Sequence, residues 1–371
     1  MLTAKQIVLN GLKAVRSGFI EIVCPQDRFA FGDPQSSIRA VIVVHNEAFF
    51  SRALFGGEVG IGDSYMAGEW QSPDLVSVIR VAVRNLSALE ISGGFFAVVK
   101  RFIGLLNHRR KRNTLEGSRR NIRYHYDLGN EFYSLFLGST MAYSCGYFST
   151  VSDTLDDAQI QKFDRICRKL RLSPSVHVLE IGTGWGGFAI YAASHYGCRV
   201  TTTTISRKQY EYASNWIARE GLSNRIELLL KDYRELDGQY DHIVSIEMFE
   251  AVGYENYHRY FDVCEKLLAP CGTMLLQTIT MNEQRFAGYL RDYDWIKKHI
   301  FPGGELASVR GILDSIGRVT GMSLYHAEDI GAHYARTLNA WRKRFHAAAL
   351  ALPSLGFDDQ FVRMWDYYLA Y

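Results

Sequence analysis

An apolar run that ends in a cluster of glycines constrains this chain more than any other feature. Val176-His-Val-Leu-Glu-Ile181 leads directly into Gly182-Thr-Gly184-Trp-Gly186-Gly187. Where a strand turns sharply into a helix and a ligand approaches its backbone, a side chain would block both events, so glycine is required. The following helix, expected near Phe188, then aims its N-terminal amides at that ligand. Further apolar or β-branched runs follow at Arg199–Ile205, Arg225–Leu230, Tyr240–Ile246 and Gly272–Ile279, the last one after the helix breaker Pro270. Helix-period segments separate them, for example Arg207–Glu220, which Gly221 terminates. This alternation predicts a parallel sheet covered by helices.

The glycine loop admits two cofactor readings. Gly182, Gly184 and Gly187 satisfy the G-x-G-x-x-G spacing of dinucleotide enzymes. Such enzymes place an acid at the end of the next strand to hold the ribose. That stretch here reads Thr201-Thr-Thr-Thr-Ile-Ser206, with Arg207 next, so only an NADP-type reading survives, and weakly. The acid lies on the first strand, as Glu180. This E-x-G-x-G arrangement suits a cofactor with a cationic sulfonium and an α-amino group, and S-adenosylmethionine is favoured.

Residues 1–106 read differently. A strand-like run, Arg39-Ala-Val-Ile-Val-Val44, is followed by helical periodicity, which predicts a small α+β domain. Residues 107–123 form a basic connector carrying His108-Arg-Arg-Lys-Arg112, Arg119, Arg120 and Arg123, opposed only by Glu116. Such a block attracts anionic surfaces such as lipid headgroups, and it equally suits a solvated linker. The net charge, 42 − 39 = +3, is too small to argue for nucleic acid. Met1 to Val15 lacks the apolar run of a signal peptide, and Leu86 to Leu106, interrupted by Glu90, Lys100 and Arg101, is a poor membrane span. The six cysteines show neither C-x-x-C pairs nor zinc spacing, so free thiols and no metal site are expected, in a reducing cytoplasm. Aromatics at 13% suit either a long apolar pocket or an aromatic core.

Beyond the loop the motifs become specific. His125-Tyr-Asp-Leu-Gly-Asn130, Tyr143-Ser-Cys-Gly-Tyr-Phe148, Glu180-Ile-Gly-Thr-Gly-Trp-Gly-Gly187, Met248-Phe-Glu-Ala-Val-Gly253, Ile300-Phe-Pro-Gly-Gly304 and Tyr367-Tyr-Leu-Ala-Tyr371 occur in series. Together with Phe31-Gly32 and Ile61-Gly-Asp-Ser-Tyr-Met66, they resemble the cyclopropane-fatty-acyl-phospholipid synthases over nearly the whole chain. The resemblance implies a Rossmann-like class I methyltransferase domain over residues 124–371, with a lid around Glu283 to Leu313. It implies attack on the sulfonium methyl by a cis double bond of a phospholipid acyl chain. The resulting carbocation loses a proton and closes to a cyclopropane, with bound bicarbonate as the base. By resemblance, Cys145 (through its backbone amide), Glu250, Gln277, Ile279 and Tyr334 hold that ion. Tyr143, Ser144, Glu180, Gly182, Gly184, Gly186, Thr204, Gln209, Tyr233 and Arg234 match cofactor-binding positions. Partners expected are membrane phospholipids contacted peripherally at the inner face, and no nucleic acid; a homodimer is left open.

Three departures accompany the resemblance. Gln277 stands where histidine is common, and an amide donates a hydrogen bond but does not titrate near pH 7. Ala251 also replaces a common histidine, while Glu247 adds an acid that either enters the pocket or merely ends a strand. The resemblance further implies a final strand after a cysteine beyond Tyr371, without which a strand expected near Met322-Ser-Leu-Tyr-His326 keeps an open edge. These departures leave open a methyl- or methylene-branched product, or a catalytically silent lipid-binding homologue.

Overall fold

The structure is a computed structural model that describes residues 2–86 and 128–371. The segment from residue 87 to 127, with the basic connector and the start of the His125 motif, lies outside the described residues. Two compact units result.

In the first unit, α1 (Ala4–Leu12) precedes β1 (Phe19–Val23), β2 (Arg28–Gly32) and β3 (Arg39–Val44). Next come α2 (Ala48–Met66), β4 (Trp70–Gln71) and α3 (Leu75–Arg84). The sheet order is β2-β1-β3-β4, with β1 and β3 parallel and the other pairs antiparallel. Alternate residues of β3 are buried, as expected for a strand with one covered face. Gly62 sits under the Trp295 ring, where an added Cβ would lie 2.4 Å from the indole.

The second unit begins with α4 (Asn130–Leu137) and α5 (Leu155–Lys169). It continues through β5 (His177–Ile181), α6 (Gly187–Tyr196), β6 (Arg199–Thr203), α7 (Arg207–Arg219), β7 (Ile226–Leu229) and β8 (Tyr240–Ile246). Then follow α8 (Tyr257–Leu267), β9 (Leu268–Gln277), α9 (Glu283–Tyr289), and, beyond the short α10 (Trp295–His299), α11 (Val309–Val319) and α12 (Gly331–Ala347). The five strands are all parallel in the order β7-β6-β5-β8-β9. The chain runs outward from β5 through β6 to β7, then returns to β8 on the other side. The carboxyl ends of β5 and β8 therefore flank a topological switch point, where ligands bind in open α/β sheets.

Both faces of β5 are covered. Val178 packs with the Phe188, Ala189 and Ala192 face of α6, whereas Leu179 and Ile181 pack with Phe249, Tyr260 and Phe261. The buried threonines of β6 meet their hydroxyl requirement within the sheet: Thr201 donates to Glu227 at 3.0 Å, and Thr203 to the Lys231 carbonyl at 2.5 Å.

Several expectations are corrected. A methyltransferase domain running unbroken over 124–371 does not describe the compact units. Residues 292–300 and 345–371 group with the N-terminal residues. The final helix, α13 (Asp359–Ala370), supplies Asp366, which accepts from the Tyr65 hydroxyl at 2.6 Å, and Tyr367, 4.7 Å from the Trp295 ring. The expected lid at Glu283 to Leu313 is accordingly divided between the units. β9 starts at Leu268, four residues before Gly272. A register shift opposite Tyr240 and His242, and Cys271 at φ 64°, form a bulge, and an edge strand tolerates the proline within it. Met322–His326 forms no strand. It contains no β-branched residue, Tyr325 is 96% exposed, and Arg165 and Lys169 on α5 tether the next acid, Glu328, at 2.6 and 2.8 Å.

Candidate active site

The glycine loop has the geometry its sequence demands. Gly182, Gly184 and Gly186 hold φ values of 104°, 53° and 99°. A Cβ on Gly182 would approach Met248 to 2.9 Å, and one on Gly187 would lie 2.3 Å from the Thr140 carbonyl. Around Gly184 nothing lies within 4 Å of such an atom. Gly186 caps α6 without a side-chain hydrogen bond, leaving the first-turn amides available. A cradle that a Cβ would fill, facing a helix N-terminus beside an acid, fits S-adenosylmethionine.

Glu180, the acid in question, is buried and accepts a 2.6 Å hydrogen bond from Thr202. Burial pushes its carboxyl up to about 8, with the Thr202 bond opposing that rise. Thr204 donates to Gln209 at 2.9 Å, so these two buried side chains act as a pair at the end of β6 and the start of α7. Tyr233 and Arg234 follow β7, beyond its end. Tyr233 packs edge-on against Tyr260 with centroids 5.2 Å apart, and Arg234 clamps Asp232 through two bonds of 2.7 and 2.8 Å. Asp232, at the end of β7 and buried, was not singled out from the sequence. Its nearest signal is its place three residues beyond an apolar strand.

Across the switch point, aromatic rings form a wall. Tyr143 stands 5.4 Å from Tyr133 on α4, 5.3 Å from Trp341 on α12 and 6.1 Å from Phe301. The amphipathic helix α4 buries Phe132, Tyr133 and Phe136 together, and Trp185 of the glycine loop lies 4.9 Å from Tyr133. Behind the wall, Lys162 donates to the Ser144 hydroxyl at 2.6 Å. Lys162 sits on the buried stripe of α5 formed by Ala158, Gln159, Phe163 and Ile166. A lysine on an otherwise inward face was the signal that sequence reading passed over. Burial lowers its ammonium to about 8, opposed by the nearby Glu247 charge.

The catalytic candidates do converge, but around a residue the sequence left undecided. Glu247 follows β8 at φ 48°, a backbone conformation unusual for a residue with a side chain. Its carboxylate accepts from the Cys145 amide at 2.9 Å, from Gln277 Nε2 at 2.8 Å and from the Tyr334 hydroxyl. One turn on, Glu250 accepts from the Ile279 amide at 2.5 Å and from the Thr278 hydroxyl at 2.9 Å. Its second oxygen, Oε2, is buried without a hydrogen-bond partner. Burial raises both carboxyls. Lys162 and the three donors pull Glu247 back, whereas the Glu247 charge pushes Glu250 further, to about 7. The Cys145 thiol, raised to about 12 by burial, is a protonated group and not a nucleophile.

This arrangement does not fit bicarbonate. The groups expected to grip that ion, namely the Cys145 amide, Gln277, Tyr334 and the Ile279 amide, already donate to carboxylates of the chain.

Comparisons with known proteins agree with the fold and the loop. The Mycolic acid cyclopropane synthetase family matches residues 113–371. The chain is 40% identical over 352 residues to the tuberculostearic acid methyltransferase of Mycobacterium tuberculosis, covering 93% of this chain and 82% of that protein. It is 40% identical over 337 residues to the cyclopropane-fatty-acyl-phospholipid synthase of Escherichia coli, covering 90% and 83%. Among solved structures, mycolic acid cyclopropane synthase complexed with SAH and CTAB superposes with a TM-score of 0.63 at 32% identity, over 68% of this chain and 91% of that one. The class I methyltransferase fold, the cradle for a sulfonium cofactor and these matches agree: the chain belongs to the mycolic acid cyclopropane synthetase family of S-adenosylmethionine-dependent methyltransferases.

Proposed function

We propose that this enzyme modifies the cis double bond of an unsaturated acyl chain carried by a membrane phospholipid, and that its product is a cyclopropane. The observation that carries the reading is the aromatic wall around Tyr143, standing at the same switch point as the cofactor cradle and a pair of buried carboxyls. S-adenosylmethionine supplies an electrophilic methyl group when bound. The chain's own residues do the rest. Gly184 opens the space for the cofactor, and Glu180 with the α6 amides orients it. The rings of Tyr143, Tyr133 and Trp341 exclude water and offer π faces to a cation developing on the acyl chain.

A second reading, a methyl- or methylene-branched fatty acid, is favoured by one observation. The chain is as similar to a tuberculostearic acid methyltransferase as to a cyclopropane-fatty-acyl-phospholipid synthase, at 40% in each case. Mass spectrometry of lipids from cells expressing the protein separates the products. The ring and the methylene share one mass, only the methylene readily takes up hydrogen, and a methyl branch is two hydrogens heavier. Absence of any acyl product, with S-adenosylmethionine bound normally, would instead mark a silent lipid-binding homologue.

Access to phospholipid is proposed to be peripheral, at an inner membrane face. No helix among the described residues is long and apolar enough to cross a membrane. The basic block Arg109, Arg110 and Arg112 is the candidate contact, through attraction to anionic headgroups.

A further inference from the structure

We infer that the Glu247 carboxylate is the proton acceptor of this enzyme, built into the chain in the seat that a bound anion would otherwise fill. The inference rests on the proposed reaction. Three donors from three separate elements converge on this one carboxylate: the Cys145 amide before α5, Gln277 Nε2 at the end of β9 and the Tyr334 hydroxyl on α12. Gln277 also reaches the Cys145 carbonyl at 3.3 Å, which locks two of the donors together.

A planar oxyanion ringed by a backbone amide, a side-chain amide and a phenol has the recognition chemistry of a small carboxylate or carbonate. A glutamate tethered there needs no binding step and is present at every turnover. Its backbone is also unusual. At φ 48° Glu247 occupies the left-handed region, and the sheet holds it there through the Glu247 amide, which donates to the Gln277 carbonyl at 2.7 Å. Lys162 supplies the nearby positive charge, and Glu250 the nearby acid. Two carboxyls this close cannot both carry a full charge easily, so the pair is poised to take up one proton.

The step balances as follows. After the methyl group has bonded to one alkene carbon, the other carbon is electron-deficient. One hydrogen of the new methyl leaves as a proton to the Glu247 carboxylate. The electron pair of that C–H bond forms the third side of the ring, and the resulting carboxylic acid returns its proton to water once product departs. If the hydrogen on the methylated carbon first shifts with its electron pair to the electron-deficient neighbour, the methylated carbon becomes the deficient one. Loss of a methyl proton to the same base then places that C–H pair between the two carbons and gives a methylene.

The test uses the whole enzyme and three forms of it: wild type, Glu247→Gln and Glu247→Gly. Glycine adopts φ 48° without strain, so the glycine variant is expected to fold, and a thermal melt checks it. Isothermal titration with sodium bicarbonate should show no saturable heat with wild type and saturable binding with Glu247→Gly. With S-adenosylmethionine and dioleoyl phosphatidylglycerol vesicles, wild type should turn over equally in carbon dioxide-free buffer and with added bicarbonate. Glu247→Gln should lose about a hundredfold in rate, the usual scale for removing a general base. Glu247→Gly should lose a similar amount and recover at least part of it with bicarbonate or formate. Saturable bicarbonate binding by wild type, a bicarbonate-dependent wild-type rate or a near-normal Glu247→Gln rate would each overturn the assignment. Should wild type form no S-adenosylhomocysteine with any unsaturated phospholipid, the functional reading fails, and the titration alone still decides what occupies the Glu247 seat.

Discussion

Gly184→Ala separates the two roles of a loop glycine, backbone strain and ligand space. Gly184 sits at φ 53°, and a Cβ built on it meets nothing within 4 Å. The protein itself therefore does not resist the extra carbon, and the cost to folding is the left-handed conformation alone, about 1–2 kcal/mol for a residue with a side chain. For a unit of this size that lowers Tm by about 2–8 °C. The open space is the cofactor cradle, so the same carbon should weaken S-adenosylmethionine by at least about a hundredfold, or ~2.7 kcal/mol. Gly221 provides the control. It follows α7 at φ 69° with equally open surroundings, far along the chain from the glycine loop. Gly221→Ala should show the same Tm loss with normal affinity. The assay is a melt with and without cofactor at about one hundred times the wild-type Kd. Wild type and Gly221→Ala then gain ~2.7 kcal/mol, whereas Gly184→Ala gains ~0.4 kcal/mol. Calorimetric affinities within threefold of each other for all three proteins would refute the placement of the cofactor against Gly184.

Other substitutions test the neighbouring parts. Gly187→Ala drives a Cβ to 2.3 Å from the Thr140 carbonyl, and a fixed backbone atom cannot yield as a side chain can. Loss of about 3 kcal/mol or more is expected in urea unfolding, and a stability change under about 1 kcal/mol would count against the packing described. Glu180 has its folded pKa raised to about 8. The folded state therefore holds its proton more tightly than the unfolded chain, and stability falls as pH rises from about 4.5 towards 8. Glu180→Gln should remove that decline, and parallel pH–stability curves for the two proteins would argue that Glu180 is solvated. Lys162→Met removes the cation that draws the Glu247 carboxyl down. The acid limb of kcat/KM should then move to higher pH by about 1–3 units, the usual effect of a close opposite charge. An unmoved limb would place Lys162 outside the electrostatics of the site.

The strands were readable because burial on one face or both writes a strand as a short apolar run. Arg39–Val44 and Tyr240–Ile246 have the same bounds in sequence and structure. The glycine loop was readable because positive φ and close approach leave glycine little competition. The start of β9 was not, since a bulge at Cys271 admits Pro270 where pattern reading takes proline as a stop. Met322–His326 failed for the opposite reason: a run with strand-like hydrophobicity remained unpaired and exposed. Within the site, Cys145, Gln277 and Tyr334 gather on Glu247 and Ile279 on Glu250, whereas the resemblance assigned all four to an external ion. Only three-dimensional convergence from positions 145, 277 and 334 distinguishes a glutamate inside that ring from one that ends a strand. Asp232, two residues before Arg234 and bonded to it twice, carried no signal in the sequence beyond its place after a strand.

The interleaving of the two units bears on how the protein is made. The N-terminal unit is completed by α13, whose Asp366 and Tyr367 meet Tyr65 and Trp295. During synthesis the ribosome must therefore add 301 further residues after Tyr65 before its partner Asp366 exists. At about 5–20 residues per second, Tyr65 and the α2 face wait roughly 15–60 s with apolar surface uncovered. Exchanging pieces between relatives should preserve activity only when residues 2–86, 292–300 and 345–371 travel as a set.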